Sequence, residues 1–205
     1  MMDMIVDRVA AEVRELLKNE GSGHDWQHIA RVWDNTRDIC SFEKADSFRA
    51  ELAALLHDLD DWKLTGTAPE AFPVRTHRIL TDYGIADDVC EDVLGIIRSI
   101  DFKGSLAGER ELGLEAKVVH DADKLDAMGA IGIARCFVFN GYSGRPIFIP
   151  EIWPEDELSQ ARYTDLTREK NTGINHFFDK LLRLKSRMKT GRGIKLAQSR
   201  HDFML

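Results

Sequence analysis

Cysteine is scarce in this 205-residue chain and never closely paired. Cys40, Cys90 and Cys136 are scattered, and each falls inside an apolar helical pattern. That excludes a disulfide framework, a CxxC zinc knuckle and a thioredoxin-type redox pair. Reduced core thiols in a cytoplasmic setting are the expectation. Long apolar runs are also missing: the longest stretch without a polar residue, Ala127 to Ala134, is far short of the ~20 residues that span a bilayer. The first residues, Met1 to Arg8, lack the basic region and apolar core of a signal peptide and read as an amphipathic helix. Basic residues are outnumbered, 28 against 35 acidic, for a net charge of −7. This disfavours a partner that is a nucleic-acid polymer or an anionic membrane. A small anionic substrate remains compatible if a metal and a few local cations neutralise it. No GxxxxGK(S/T) phosphate loop, GxGxxG turn or GxSxG elbow is present.

Strict apolar–polar alternation is absent, whereas nearly every segment carries the helical period, so the fold class is expected to be all-α. With 43% hydrophobic residues and no linker or internal repeat, residues 1–205 are expected to form a single domain. A core of about 20–140 would be followed by C-terminal helices within about 157–203. Helices are expected over about 3–19, with Ile5, Val9, Val13, Leu16 and Leu17 inward, and over about 26–42, capped by Asp25. Gly21-Ser22-Gly23 between them reads as a flexible break. A third helix should run from Asp46 to near Trp62, and Lys63 to Phe72 reads as a loop. Pro73 suits the first turn of a fourth helix ending at Gly84, and Asp87 or Asp88 caps a fifth. Asp101 to Gly113 is polar. Leu114 to Met128 marks a sixth helix, with Ala130 to Phe139 continuing past Gly129 and Gly132. Asn140 to Pro154 is the longest irregular stretch and a candidate lid. Helices at about 157–170, 174–189 and 192–203 close the chain.

The chain is organised around Leu52 to Trp62, where an apolar helix pattern runs into His57 and the carboxylates of Asp58, Asp60 and Asp61. An adjacent imidazole and carboxylate can reach one cation if distant partners exist, and His28 and Asp123 lie on elements able to supply them. The order His28, His57-Asp58, Asp123 resembles the H…HD…D signature of the HD-domain metal-dependent phosphohydrolases. The segments Gly23-His24-Asp25-Trp26-Gln27-His28, Ala54 to Asp58, Asp121 to Ala134 and Asn175 to Leu182 resemble a bacterial stand-alone subgroup associated with nucleotide pyrophosphohydrolysis.

The resemblance implies a helical HD-domain bundle in which His28, His57, Asp58 and Asp123 hold one divalent cation: Mn, Co, Ni, Fe or Mg. Asp121 and Asp126 are rivals of Asp123, and Asp126, on its face of the helix, could orient a ligand or water. Asp61 matches an acidic position that handles the attacking water. His24 lies beside the first ligand and could reach the substrate, and His120 falls one turn back from Asp123. Lys124, Lys63, Arg31 and Arg145 are candidate phosphate partners by proximity to the motifs, with an ordinary surface cation as the other reading of each. Binuclear members add two histidines; His77 could supply one, but Arg98 to Phe102 contains none, which favours a single metal. The implied function is hydrolysis of a small phosphorylated metabolite, a nucleotide, with triphosphate giving monophosphate and pyrophosphate. Other readings are a 5′-nucleotidase-type phosphomonoesterase, a nucleotide sensor without turnover, a metal-dependent oxygenase and a fold-stabilising metal. Self-association into a homo-oligomer is compatible with all of them.

Overall fold

Helical periodicity without alternation yields helices alone: a computed structural model describes residues 2–61, 71–100, 112–154 and 172–205, and contains no strand among them. Nine α-helices occur in these residues. They are α1 (Met2–Leu16), α2 (Trp26–Glu43), α3 (Ser47–Leu56), α4 (Val74–Asp82), α5 (Asp87–Ile100), α6 (Leu114–Asp126), α7 (Gly129–Tyr142), α8 (Gly173–Asp179) and α9 (Gly191–Met204). Most of the 63–72 loop, most of the polar 101–113 stretch, the 157–170 helix and Lys63 lie outside the described residues.

The centre is α3. Its residues Ala50 and Leu52 to Leu56 are completely buried, because α1, α2, α5 and α6 all pack on it. The run Leu52 to Leu56 is apolar all round and so has no solvent face to offer, whereas Arg49 and Glu51 sit in the half nearer the surface. α2 and α6 lie against each other as well as against α3, so the ends of three helices meet at one place. α9 crosses α2, α6 and α7. The thiol of Cys40 lies in this interior, where burial pushes its pKa up to about 12.

Several expected boundaries move. α1 stops at Leu16, which is 48% exposed, while Leu17 beyond the helix is the buried residue. α3 stops at Leu56 instead of reaching Trp62. The Leu59 amide bonds to Leu56 O at 3.2 Å and the Asp61 amide to Asp58 O at 3.2 Å, so residues 57–60 form tight turns. The freed carbonyls at the helix end are taken by side chains, His57 on Ala54 O and Thr76 on Leu56 O. The single helix expected past Gly129 is two helices, since Met128 is extended and Gly129 has φ +68°, a conformation glycine adopts without strain. α7 persists to Tyr142. The Arg145 amide then bonds to Asn140 O and the Gly144 amide to Gly141 O, a Schellman closure around Gly144 at φ +65°. The remaining 143–154 stretch is pinned to α8, with Gly173 N donating to Pro146 O, Ile174 N to Ile147 O and the Asn175 side chain to Ile152 O. The expected 174–189 helix is α8 followed by two 3₁₀ turns, Leu181–Arg183 and Lys185–Arg187.

Two glycines should respond oppositely to alanine. A Cβ at Gly132 would overlap the Ala127 carbonyl, so Gly132→Ala is expected to destabilise by about 1–3 kcal/mol. Gly95 is exposed inside α5 with open space around it, and Gly95→Ala should stabilise by about 0.5–1 kcal/mol. Chemical denaturation of both variants checks the pair.

Candidate metal centre

The first histidine is placed by a helix cap. Asp25 sits at the N-terminus of α2 in an extended conformation and accepts the His28 amide at 2.9 Å, fixing His28 in the first turn with 1% of its surface exposed. His28 Nδ1 lies 2.7 Å from Asp126 Oδ2. An ionised carboxylate only accepts, so Nδ1 carries the proton and the Nε2 lone pair points away from Asp126. His57, at the end of α3, repeats this logic with a backbone partner. Its Nδ1 faces Ala54 O at 2.8 Å, which leaves Nε2 as the basic nitrogen.

The two free nitrogens converge on Asp58. His28 Nε2 is 3.2 Å from Asp58 Oδ2, and His57 Nε2 is 3.3 Å from Oδ1. One ligating atom from each of His28, His57 and Asp58 falls within 4.8 Å of the others. From α6, Asp123 Oδ1 approaches the same nitrogens at 3.7 and 3.9 Å. His57 Nε2 and Asp58 Oδ2 are buried without a hydrogen-bond partner. Buried polar atoms without partners are costly, and a divalent cation satisfies a lone-pair cluster of this composition. The donor set therefore fits a metal.

Charge compensation around the cluster is dense. Burial pushes the Asp58 carboxyl up, but His57 and His28 outweigh it and hold the group well below the usual carboxylate range. Asp123 is likewise held low despite burial, by Lys124 and then by the two histidines. Lys124 Nζ lies 2.8 Å from Asp123 Oδ2, with 13% of its side chain exposed. Asp126, 2% exposed, accepts from Arg31 Nε at 2.6 Å and Arg31 Nη2 at 3.0 Å, with Arg135 Nη1 at 3.3 Å. Burial raises its pKa, yet the bonds from His28 and Arg31 bring it down to about 2.

The His24 loop, read from its glycines as a flexible break, carries a set of its own hydrogen bonds. Ser22 is fully buried, the amides of Ser22 and His24 both donate to Glu20 Oε2, and Ser22 Oγ lies 3.0 Å from His24 Nδ1. The His24 ring stands edge-on to His28 and to Phe139, with centroids 6.0 and 5.6 Å away. Burial pushes its pKa below the ordinary imidazole value, against the fields of Asp58 and Asp61. Asp61 thus acts on His24 electrostatically.

Other candidates go elsewhere. Arg31 is committed to Asp126. His120 Nδ1 bonds to Asp121 Oδ1 at 2.9 Å, and Asp121 accepts the Lys189 and Thr190 amides, anchoring the start of α9. His77 is exposed on α4 against Phe72. Asp60 accepts the Arg75 and Thr76 amides and so caps α4 across the chain. Arg145 lies over the Phe139 ring at 5.6 Å. Arg135, Ser22 and Glu20 escaped the sequence reading, because an ordinary cation, hydroxyl and carboxylate show no periodic or motif signal.

A helical protein whose chain brings together a histidine, an adjacent His-Asp pair and a later aspartate belongs to a recognisable class, the His/Asp metal-dependent hydrolases. The HD-domain signature spans residues 25–128, and the chain belongs to the HD-domain family. The protein YpgQ of Bacillus subtilis is 40% identical over 201 residues, 97% of this chain and 88% of YpgQ. A Lactobacillus plantarum crystal structure superposes with a TM-score of 0.85 at 31% identity, covering 100% of this chain and 93% of that one. A structure of YpgQ in complex with ADP superposes at 0.71 with 37% identity, covering 97% and 91%. An HD-superfamily hydrolase from Bacillus thuringiensis superposes at 0.73 with 32% identity, covering 100% and 93%. The chain therefore belongs to a superfamily whose solved members include hydrolases, and its His28, His57 and Asp58 form a cluster of the composition that holds a divalent metal.

Two substitutions probe the centre. His57→Ala is expected to abolish retention of a divalent cation, measured by metal analysis of purified protein. Asp126→Asn should lower cation affinity by about 10–100-fold, because the amide no longer holds the His28 Nδ1 proton as strongly. Chelator competition reads this directly.

Proposed function

We propose that this protein hydrolyses a nucleotide at a phosphoanhydride bond, releasing monophosphate and pyrophosphate from a triphosphate, with one divalent cation held by His28, His57, Asp58 and Asp123. The observation that carries the reading is the pair of buried, unpartnered ligand atoms, His57 Nε2 and Asp58 Oδ2, between the two imidazoles and Asp123. The ADP bound to the related YpgQ supports the nucleotide class. A cation in this cluster supplies Lewis acidity, neutralising phosphate charge and lowering the pKa of water.

Everything else falls to the chain. Lys124 holds Asp123 ionised through Oδ2, so that Oδ1 stays turned toward the imidazoles. Asp61 accepts the proton of the attacking water and orients it. His24, edge-on to His28 and with its pKa lowered by burial, offers a hydrogen bond to a phosphate oxygen, and no group of the chain is assigned as proton donor to a leaving hydroxyl. A sugar hydroxyl leaving group needs a proton donor, whereas pyrophosphate does not, and this difference favours the anhydride bond over the monoester.

Phosphorus NMR of products tests the reading. Triphosphate is expected to give monophosphate plus pyrophosphate; inorganic phosphate from a monophosphate, with triphosphate untouched, would replace this reading with a nucleotidase. Asp61→Asn should keep the cation while turnover falls by about 10²–10⁴-fold. Unchanged turnover would return Asp61 to the surface.

A further inference from the structure

We propose that Arg135 is a positioning residue that sets the His24 loop against the metal cluster, a role separable from that of Arg31. This rests on the reading of His24 as a substrate-facing group. Arg135 projects from α7 with 18% of its side chain exposed, and its guanidinium has two distinct partners. Nε donates to Gly23 O at 2.8 Å, while Nη1 lies 3.3 Å from Asp126 Oδ2. The same Asp126 oxygen takes the His28 Nδ1 proton at 2.7 Å. A single planar fork therefore connects the residue that orients His28 to the backbone immediately before His24.

The two arginines divide the work. Arg31 holds Asp126 through two short bonds, 2.6 and 3.0 Å, so the Asp126 carboxylate keeps strong partners without Arg135. The Gly23 carbonyl bond belongs to Arg135. The loop is shaped to sit there: Gly23 has φ +93°, and a Cβ at that position would lie 3.7 Å from Val138 Cγ1 and 3.8 Å from the Arg135 carbonyl. One turn on, Phe139 packs edge-on to the His24 ring. α7 thus adds one polar and one aromatic contact to a loop that Glu20 already ties internally.

Arg135→Met and Arg31→Met, which keep most of the apolar stem, test the division. In Arg135→Met, hydrogen exchange at the Ser22 and His24 amides is expected to rise about tenfold, the effect of losing one typical hydrogen bond. Affinity for Co²⁺, used as the probe cation, should stay within about threefold, while affinity of the Co²⁺-loaded protein for ADP falls about tenfold. Arg31→Met should reverse the pattern, with weaker Co²⁺ binding and unchanged exchange in the loop. Arg135→Lys should recover part of the ADP affinity through a single bond to Gly23 O. Unchanged loop exchange in Arg135→Met, or faster exchange spread evenly over all helices, would overturn the proposal. Wild-type protein that binds Co²⁺ but no ADP would sink the nucleotide reading, while the exchange comparison still decides the role of Arg135.

Discussion

A 2.7 Å hydrogen bond between Asp126 and His28 is the constraint on which the centre depends. It fixes which imidazole nitrogen carries the proton, and so turns the other toward Asp58 and Asp123. The bond is strong because Asp126 is almost fully buried and still ionised, and it stays ionised through the His28 bond itself and the Arg31 fork, with Arg135 adding a further cation nearby. Removing all of these cations would leave a buried charge uncompensated, which costs far more than a surface ion pair contributes.

The architecture follows from the need to bury several carboxylates and imidazoles at one point. The second half of α3, Leu52 to Leu56, is apolar on every face and lies in the interior, so the turns that follow it deliver His57 and Asp58 beside the ends of α2 and α6. Asp60, in the same acidic run, is spent on capping α4, which locks those turns to the next helix. Neighbouring aspartates in α6 separate by helical rotation: Asp123 and Asp126 face α2 and the cluster, whereas Asp121 faces the start of α9. One acidic helix thereby serves the centre on one side and the packing of the C-terminal helix on the other.

By itself the sequence determined the fold class, the helices with clear caps, and the metal-binding residue types. Asp25 before His28 and Gly84 after α4 are local signals, because those ends are satisfied within a few residues of chain, and Pro73 marks the start of α4 by its fixed φ although the amides there are taken by distant Asp60. The His-Asp pair and its distant partners were legible as a pattern of ordered residue types, since cation ligands must be of few chemical kinds. Tertiary structure alone decided where α3 stops, why Met128 breaks the run into α7, and how residues 180–188 turn. Those outcomes depend on carbonyls and amides finding partners far away in the chain, as Leu56 O finds Thr76 and Leu125 O finds Arg200. It alone also decided that Arg31 faces Asp126 and that Arg135 reaches Gly23, because a long cation shows no periodicity and its partner is chosen only when three helices have packed.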